Sequence, residues 1–160
     1  MTERLLSAAV VVALGIWAEA RAEDATVVFV CEHGSAKSLI AAQWFNRLAR
    51  ERNLRVRAVS RGVTPDPALP PWVEPALRGD GFEVGGFTPQ RLAKEDLAGA
   101  RYVVAIGADS PLLAQPGAAR VERWNDIPPA SEPYAASRDR MRERIQELLA
   151  KLASPSSPAP

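Results

Sequence analysis

The sequence predicts an α/β fold: a three-layer domain with a four-stranded, mainly parallel sheet and helices on both faces. Short β-branched runs alternate with amphipathic stretches along the chain. The first run, residues 26–30 (TVVFV), is continuously apolar, as strands buried on both faces are. Strands separated by helices connect by right-handed crossovers, which makes the sheet mainly parallel.

Each element has its own signal. Residues 26–30 form the first strand. Residues 38–52 follow as a helix, with Ile40, Ala41, Trp44, Phe45 and Leu48 at helical spacing and charges gathering toward 47–52. Residues 56–59 are a weaker second strand. A Pro-rich stretch, 66–75, leads into a short helix that Gly79 stops. Thr88-Pro89 reads as an N-cap with Pro at the first helical position. Residues 102–106 (YVVAI) are the third strand and 120–124 a fourth. The longest helix spans 134–153, with Met141, Ile145, Leu148, Leu149 and Leu152 as its apolar stripe.

The ends read differently. Arg4, the apolar run 5–17 (LLSAAVVVALGIW) and the small-x-small triplets Ala18-Glu19-Ala20 and Ala20-Arg21-Ala22 have the layout of a secretory signal. The apolar run falls short of the ~20 residues that cross a bilayer. The expected division is therefore a signal at 1–22, a domain at 23–153 and a Pro/Ser-rich tail at 154–160 (SPSSPAP). A periplasmic or secreted protein follows, with no stable membrane insertion after signal cleavage.

Composition narrows the functional classes. The 160 residues fit one domain, and 47% hydrophobic with 24% charged residues is enough apolar material for a core. A net charge of +1 advertises no nucleic-acid groove. One Cys and one His exclude a disulfide scaffold and are too few for a structural zinc site of the usual kind.

In such sheets ligands bind beyond the carboxyl ends of the strands. The loop after the first strand reads Cys31-Glu32-His33-Gly34-Ser35-Ala36-Lys37-Ser38 and holds the only Cys and the only His. Small and polar residues between strand and helix can curl so that backbone N–H groups point inward. With the helix N-terminus they make an anion site. Gly34 permits the positive φ of such a curl. The same field favours the thiolate of Cys31, to which Ser38 can donate. Lys37 adds a full positive charge. For His33 the plain reading is an exposed loop residue, the alternative a second cation at the rim. Trp44, Trp72 and Trp124 read as packing residues before pocket walls.

The run VVFVCEHGSAKS before an amphipathic helix resembles the signature of the low-molecular-weight protein tyrosine phosphatases, whose fold is shared with thioredoxin-coupled arsenate reductases. The family pattern is Cys, five residues, Arg, then Ser or Thr. Ser60-Arg61-Gly62-Val63 is similar to the family's Ser-Ala-Gly turn, residues 81–92 to its segment before the third strand, and Arg138-Asp139 to the start of its last helix. Lys37 stands where the family has Arg, and His33-Gly34 where it has a Gly-Asn pair.

The resemblance implies a phosphomonoester hydrolase acting through a cysteinyl-phosphate, with Glu32, His33, Gly34, Ser35, Ala36 and Lys37 as the oxyanion cradle. Cys31, Lys37, Ser38 and an acid carry the chemistry, without metal or cofactor. The acid expected is Asp126, by its spacing to Arg138-Asp139, with Glu132 in Glu132-Pro133-Tyr134 as the alternative. The implied ligand is a phosphate-, arsenate- or sulfate-like oxyanion or an aryl phosphate. Two other readings stand beside this one: an arsenate reductase using an external thiol, since no second Cys exists for an internal relay, and a non-catalytic oxyanion-binding domain.

Overall fold

The computed structural model describes residues 24–115, 120–131 and 133–154. The expected signal, Glu132 and the tail beyond Ser154 lie outside the described residues. Four strands form one wholly parallel sheet in the order β2-β1-β3-β4: β1 at Ala25–Cys31, β2 at Val56–Gly62, β3 at Ala100–Ile106 and β4 at Arg120–Trp124. The helices are α1 (Lys37–Glu51), α2 (Val73–Gly79), α3 (Lys94–Ala98) and α4 (Tyr134–Ala153), with a 3-10 turn at Pro111–Ala114.

Strand alternation divides the core in two. Val27, Phe29 and Cys31 of β1, with Val104 and Ile106 of β3, face a cluster completed by α1, α2 and α4. Val28, Val30, Val103 and Ala105 face the other way, onto Leu92, Leu97 of α3 and Leu113. Both faces of β1 are buried, which is why its sequence is continuously apolar. Phe29 anchors the larger cluster, with ring centroids 5.7 Å from Phe45 and 5.5 Å from Trp124.

The connections choose where a ligand can sit. From β1 the chain crosses to β2 on one side, while β3 pairs on the other side of β1. The strand order therefore reverses at the carboxyl end of β1, and the loops leaving β1 and β3 diverge there.

Two sequence expectations change. Strand β2 runs three residues further than 56–59, because its end pairs in register as far as Cys31↔Gly62. No helix begins at Thr88-Pro89. The chain there stays extended, Gln90 O accepting from Gly62 N at 2.8 Å and Leu92 N donating to Gly62 O at 2.8 Å, and α3 starts only at Lys94. Pairing with the β2 edge outweighs the local capping signal.

That edge is closed further down by one side chain. Asn46 of α1 accepts from Ala58 N at 2.7 Å and donates to Ala58 O at 3.0 Å, taking both outward backbone groups of that residue, where an added strand would pair. Replacing Asn46 with Ala leaves both groups unpaired in a partly buried place. The substitution is expected to cost about 1–3 kcal/mol in denaturant unfolding.

Candidate active site

Residues 31–38 turn from β1 into α1. Alternation along β1 directs Cys31 toward α1, where it is only 6% exposed. Its Sγ accepts from Gly34 N at 3.2 Å and lies 3.1 Å from Ser38 Oγ. Ser38 Oγ is 2.8 Å from Ser60 Oγ, which donates to Gly34 O at 3.2 Å. This hydroxyl chain serves either protonation state. A thiol donates to Ser38, whose proton then goes to Ser60; a thiolate accepts from Ser38 directly.

The loop's backbone is turned inside out by its neighbour. After β2, Val63 N donates to Cys31 O at 3.1 Å, Thr64 N to Glu32 O at 2.8 Å and Asp66 N to His33 O at 3.0 Å. A trans peptide points its N–H opposite to its C=O. With three carbonyls drawn outward, the N–H groups of Glu32, His33 and Gly34 turn inward, as the Gly34 bond to Sγ records. Gly34 takes φ +65°, and a Cβ on it would stand 2.8 Å from Gly62 N. Only glycine at both positions allows that approach.

Helix α1 adds its own donors. Ala36 is the N-cap, no side chain caps the helix, and no acidic residue lies in the first turn. Its first N–H groups carry no side-chain cap, an arrangement able to receive an anion.

Asp66 braces the loop from outside. Its Oδ2 accepts from Ser35 Oγ at 2.5 Å, and its Oδ1 lies 3.3 Å from His33 Nδ1. A cavity of about 380 Å³ opens above the thiol, walled by Glu32, His33, Ser35, Ala36 and Lys37 of the loop, by Asp66, Pro70 and Trp72, by Ile106 at the end of β3 and Gly107 after it, and by Pro129, Ala130 and Ser131 before α4. Tyr134 pins the α4 side. Its hydroxyl donates to Asp80 Oδ2 at 2.5 Å while Arg138 Nη1 donates to Asp80 Oδ1 at 3.1 Å. Burial, then the Asp80 carboxylate, push the Tyr134 phenol up, so it remains a donor.

Most of the predicted residues come together. Cys31, Ser38 and the cradle 32–37 form one site. Lys37 extends past Gly107, and its Nζ donates to Ile127 O at 3.5 Å. Asp126 does not join them, contrary to the sequence expectation. It is absent from the cavity wall, and Arg140 and Arg144 of α4 hold its carboxylate, Arg144 Nη2 at 3.0 Å. Hydrogen bonds from Arg144, and then Arg140, bring it down to about 2 from an ordinary 3.8, unsuited to delivering a proton near neutrality. Glu132 lies outside the described residues, though Ser131 before it lines the cavity. Trp72 is a wall, whereas Trp44 and Trp124 pack in the core. Asp66 was missed; the helix N-terminus was expected, and the structure adds, as a second point, that Ala36 leaves it uncapped. The legible signal for the second was Ala at an N-cap followed by Lys, both against the rules for a helix start. Among the described residues no three His, Cys, Asp or Glu side chains gather as metal ligands would, and no helix is long and apolar enough to cross a membrane.

The carboxyl end of the parallel sheet thus places a thiol at its switch point, under a helix N-terminus and a curled loop of amides. Residues 26–155 match the low molecular weight phosphotyrosine protein phosphatase family, and the chain belongs to it. Solved structures agree in fold. The low molecular weight protein tyrosine phosphatase of T. tengcongensis superposes with a TM-score of 0.70 at 23% identity, covering 79% of this chain and 99% of that one. The Bacillus subtilis protein YfkJ gives 0.70 at 19% identity, over 82% and 96%. An arsenate reductase from Archaeoglobus fulgidus gives 0.61 at 25% identity, over 78% and 98%. No curated protein matches the chain.

The lowered Asp126 carboxyl carries a pH signature. A carboxyl depressed on folding contributes stability that is present above its ordinary value of 3.8 and lost as pH falls through about 2. The melting temperature of Asp126→Asn is therefore expected to lie slightly below wild type at neutral pH. The gap should close between about pH 4 and 2 in parallel thermal scans.

Proposed function

We propose that this protein is an exported phosphomonoester hydrolase acting through a cysteinyl-phosphate. The supporting observation is the setting of Cys31: a lone thiol bonded by Gly34 N and Ser38 Oγ, beneath inward amides and an uncapped helix N-terminus. Export rests on the signal-like residues 1–22.

Cys31 Sγ attacks the phosphorus in line with the leaving oxygen, while the loop N–H groups, the first turn of α1 and Lys37 hold the other three oxygens. Charge gathers on those oxygens in the transition state, where preorganised donors matter most. Trp72, half-buried in the wall, offers an aryl leaving group a flat apolar contact. The proton donor we assign is Glu132, flanked by the cavity residue Ser131 and by Pro133, the N-cap of α4. Asp126 is spoken for by its arginines. Water then attacks the cysteinyl-phosphate and returns the thiolate.

An arsenate reductase is the second reading, favoured by the fold shared with the A. fulgidus enzyme. With one Cys in the chain an external thiol must then resolve the cysteine adduct. A non-catalytic oxyanion-binding domain is the third, in which Lys37 supports affinity alone.

Steady-state hydrolysis of p-nitrophenyl phosphate separates them. Turnover is expected in the wild type and its loss in Cys31→Ser. Lys37→Arg, which restores a bidentate fork, should raise turnover about 10-fold, and Lys37→Ala should lower it. Arsenate consumption that requires added thiol, without phosphatase turnover, would shift the assignment to the reductase. Tm elevation by phosphate with neither activity would leave the binding domain.

A further inference from the structure

We propose that His33, held at the rim by Asp66, is a second and pH-dependent cation of the oxyanion site, so that the anion binds more tightly when the imidazole is protonated. The inference rests on the reading of residues 31–38 as an oxyanion site, and not on turnover.

The charges facing the cavity carry it. From the loop come Cys31, Glu32, His33 and Lys37, and from the segment after β2 comes Asp66. Ile106 at the end of β3 and Gly107 after it add none, nor do Pro129, Ala130 and Ser131 before α4, and Glu132 follows them in the chain. Lys37 is thus the one permanent cation among the described wall residues, and its Nζ is turned to Ile127 O. It stands against the carboxylates of Glu32 and Asp66. While His33 is neutral, the His33–Asp66 pair carries one negative charge at the mouth an anion must cross. Protonation brings the pair to neutrality.

The geometry fixes where that charge appears. Asp66 is held on three sides, by its N–H on His33 O, by Ser35 Oγ on Oδ2 and by His33 Nδ1 opposite Oδ1. The imidazole is therefore oriented by its Nδ1 edge, while the side chain, 61% exposed, stays open to solvent protons. Imidazole is the side chain that ordinarily changes charge between about pH 5 and 8. The exposure keeps the effect moderate and sensitive to salt.

Sulfate is the suitable probe, because its charge is constant over this range, and Cys31→Ser removes thiol titration from the background. At low ionic strength we expect calorimetry to show sulfate binding about five-fold tighter near pH 5.5 than near pH 8. The dependence should flatten in His33→Gln, and His33→Lys should bind tightly at both pH values. His33 is the chain's only histidine, so its ring protons give an isolated NMR signal. By reciprocity, saturating sulfate should move the His33 titration midpoint upward. A pH dependence that survives His33→Gln, or a midpoint that sulfate leaves in place, overturns the proposal. Absence of sulfate binding at every pH would sink the oxyanion reading with it. Gated sulfate binding in a protein without phosphatase turnover would support the proposal and sink only the enzyme reading.

Discussion

Gly34 and Gly62 meet backbone to backbone, and the site depends on that approach. A Cβ on either would stand 2.8 Å from the other's backbone nitrogen. Because neither has one, the segment after β2 lies close enough for three of its N–H groups to take the carbonyls of Cys31, Glu32 and His33. Planarity of the peptide does the rest, turning the following N–H groups toward the thiol. The loop 31–38 is thus shaped mainly by main-chain contacts to a neighbouring strand end. Solved structures at 19–25% identity share the fold that brings those segments together.

Against that shared frame the side chains of this loop are unusual. Ala36 and Lys37 begin a helix in a way that a helix alone would disfavour, since one cannot cap and the other opposes the dipole. Both fit the oxyanion site proposed for residues 31–38. In that reading Lys37 offers a flexible point charge and not a planar fork. Gly34 takes the left-handed turn, and the brace that a side chain inside the loop could have offered comes from Asp66 and Ser60 outside it.

The far wall is fixed independently. Asp80, at the end of α2, receives Tyr134 and Arg138 from the first turns of α4, and the Tyr134 ring lies 6.4 Å from Trp72. These contacts set the segment before α4 against the cavity. The arginines further along α4 serve a different purpose. Arg140 and Arg144 converge on Asp126 and fasten the chain after β4 to the helix, which removes that carboxylate from chemistry.

The sequence by itself determined the parallel α/β architecture, the order of most elements and the position of the thiol loop. Those features rest on local signals: continuous apolar runs, helical spacing in residues 40–48 and 141–152, and one Cys beside one Gly, one Lys and two Ser. Tertiary structure decided what local signals could not carry. Thr88-Pro89 reads as a helix start until the β2 edge claims Gln90 and Leu92 as partners. Asp126 and Asp66 are both loop aspartates near prolines in sequence. One folds against two arginines and the other against His33 and Ser35. A carboxylate's role is set by the charges brought to it from distant segments, and those are fixed only when the chain has folded.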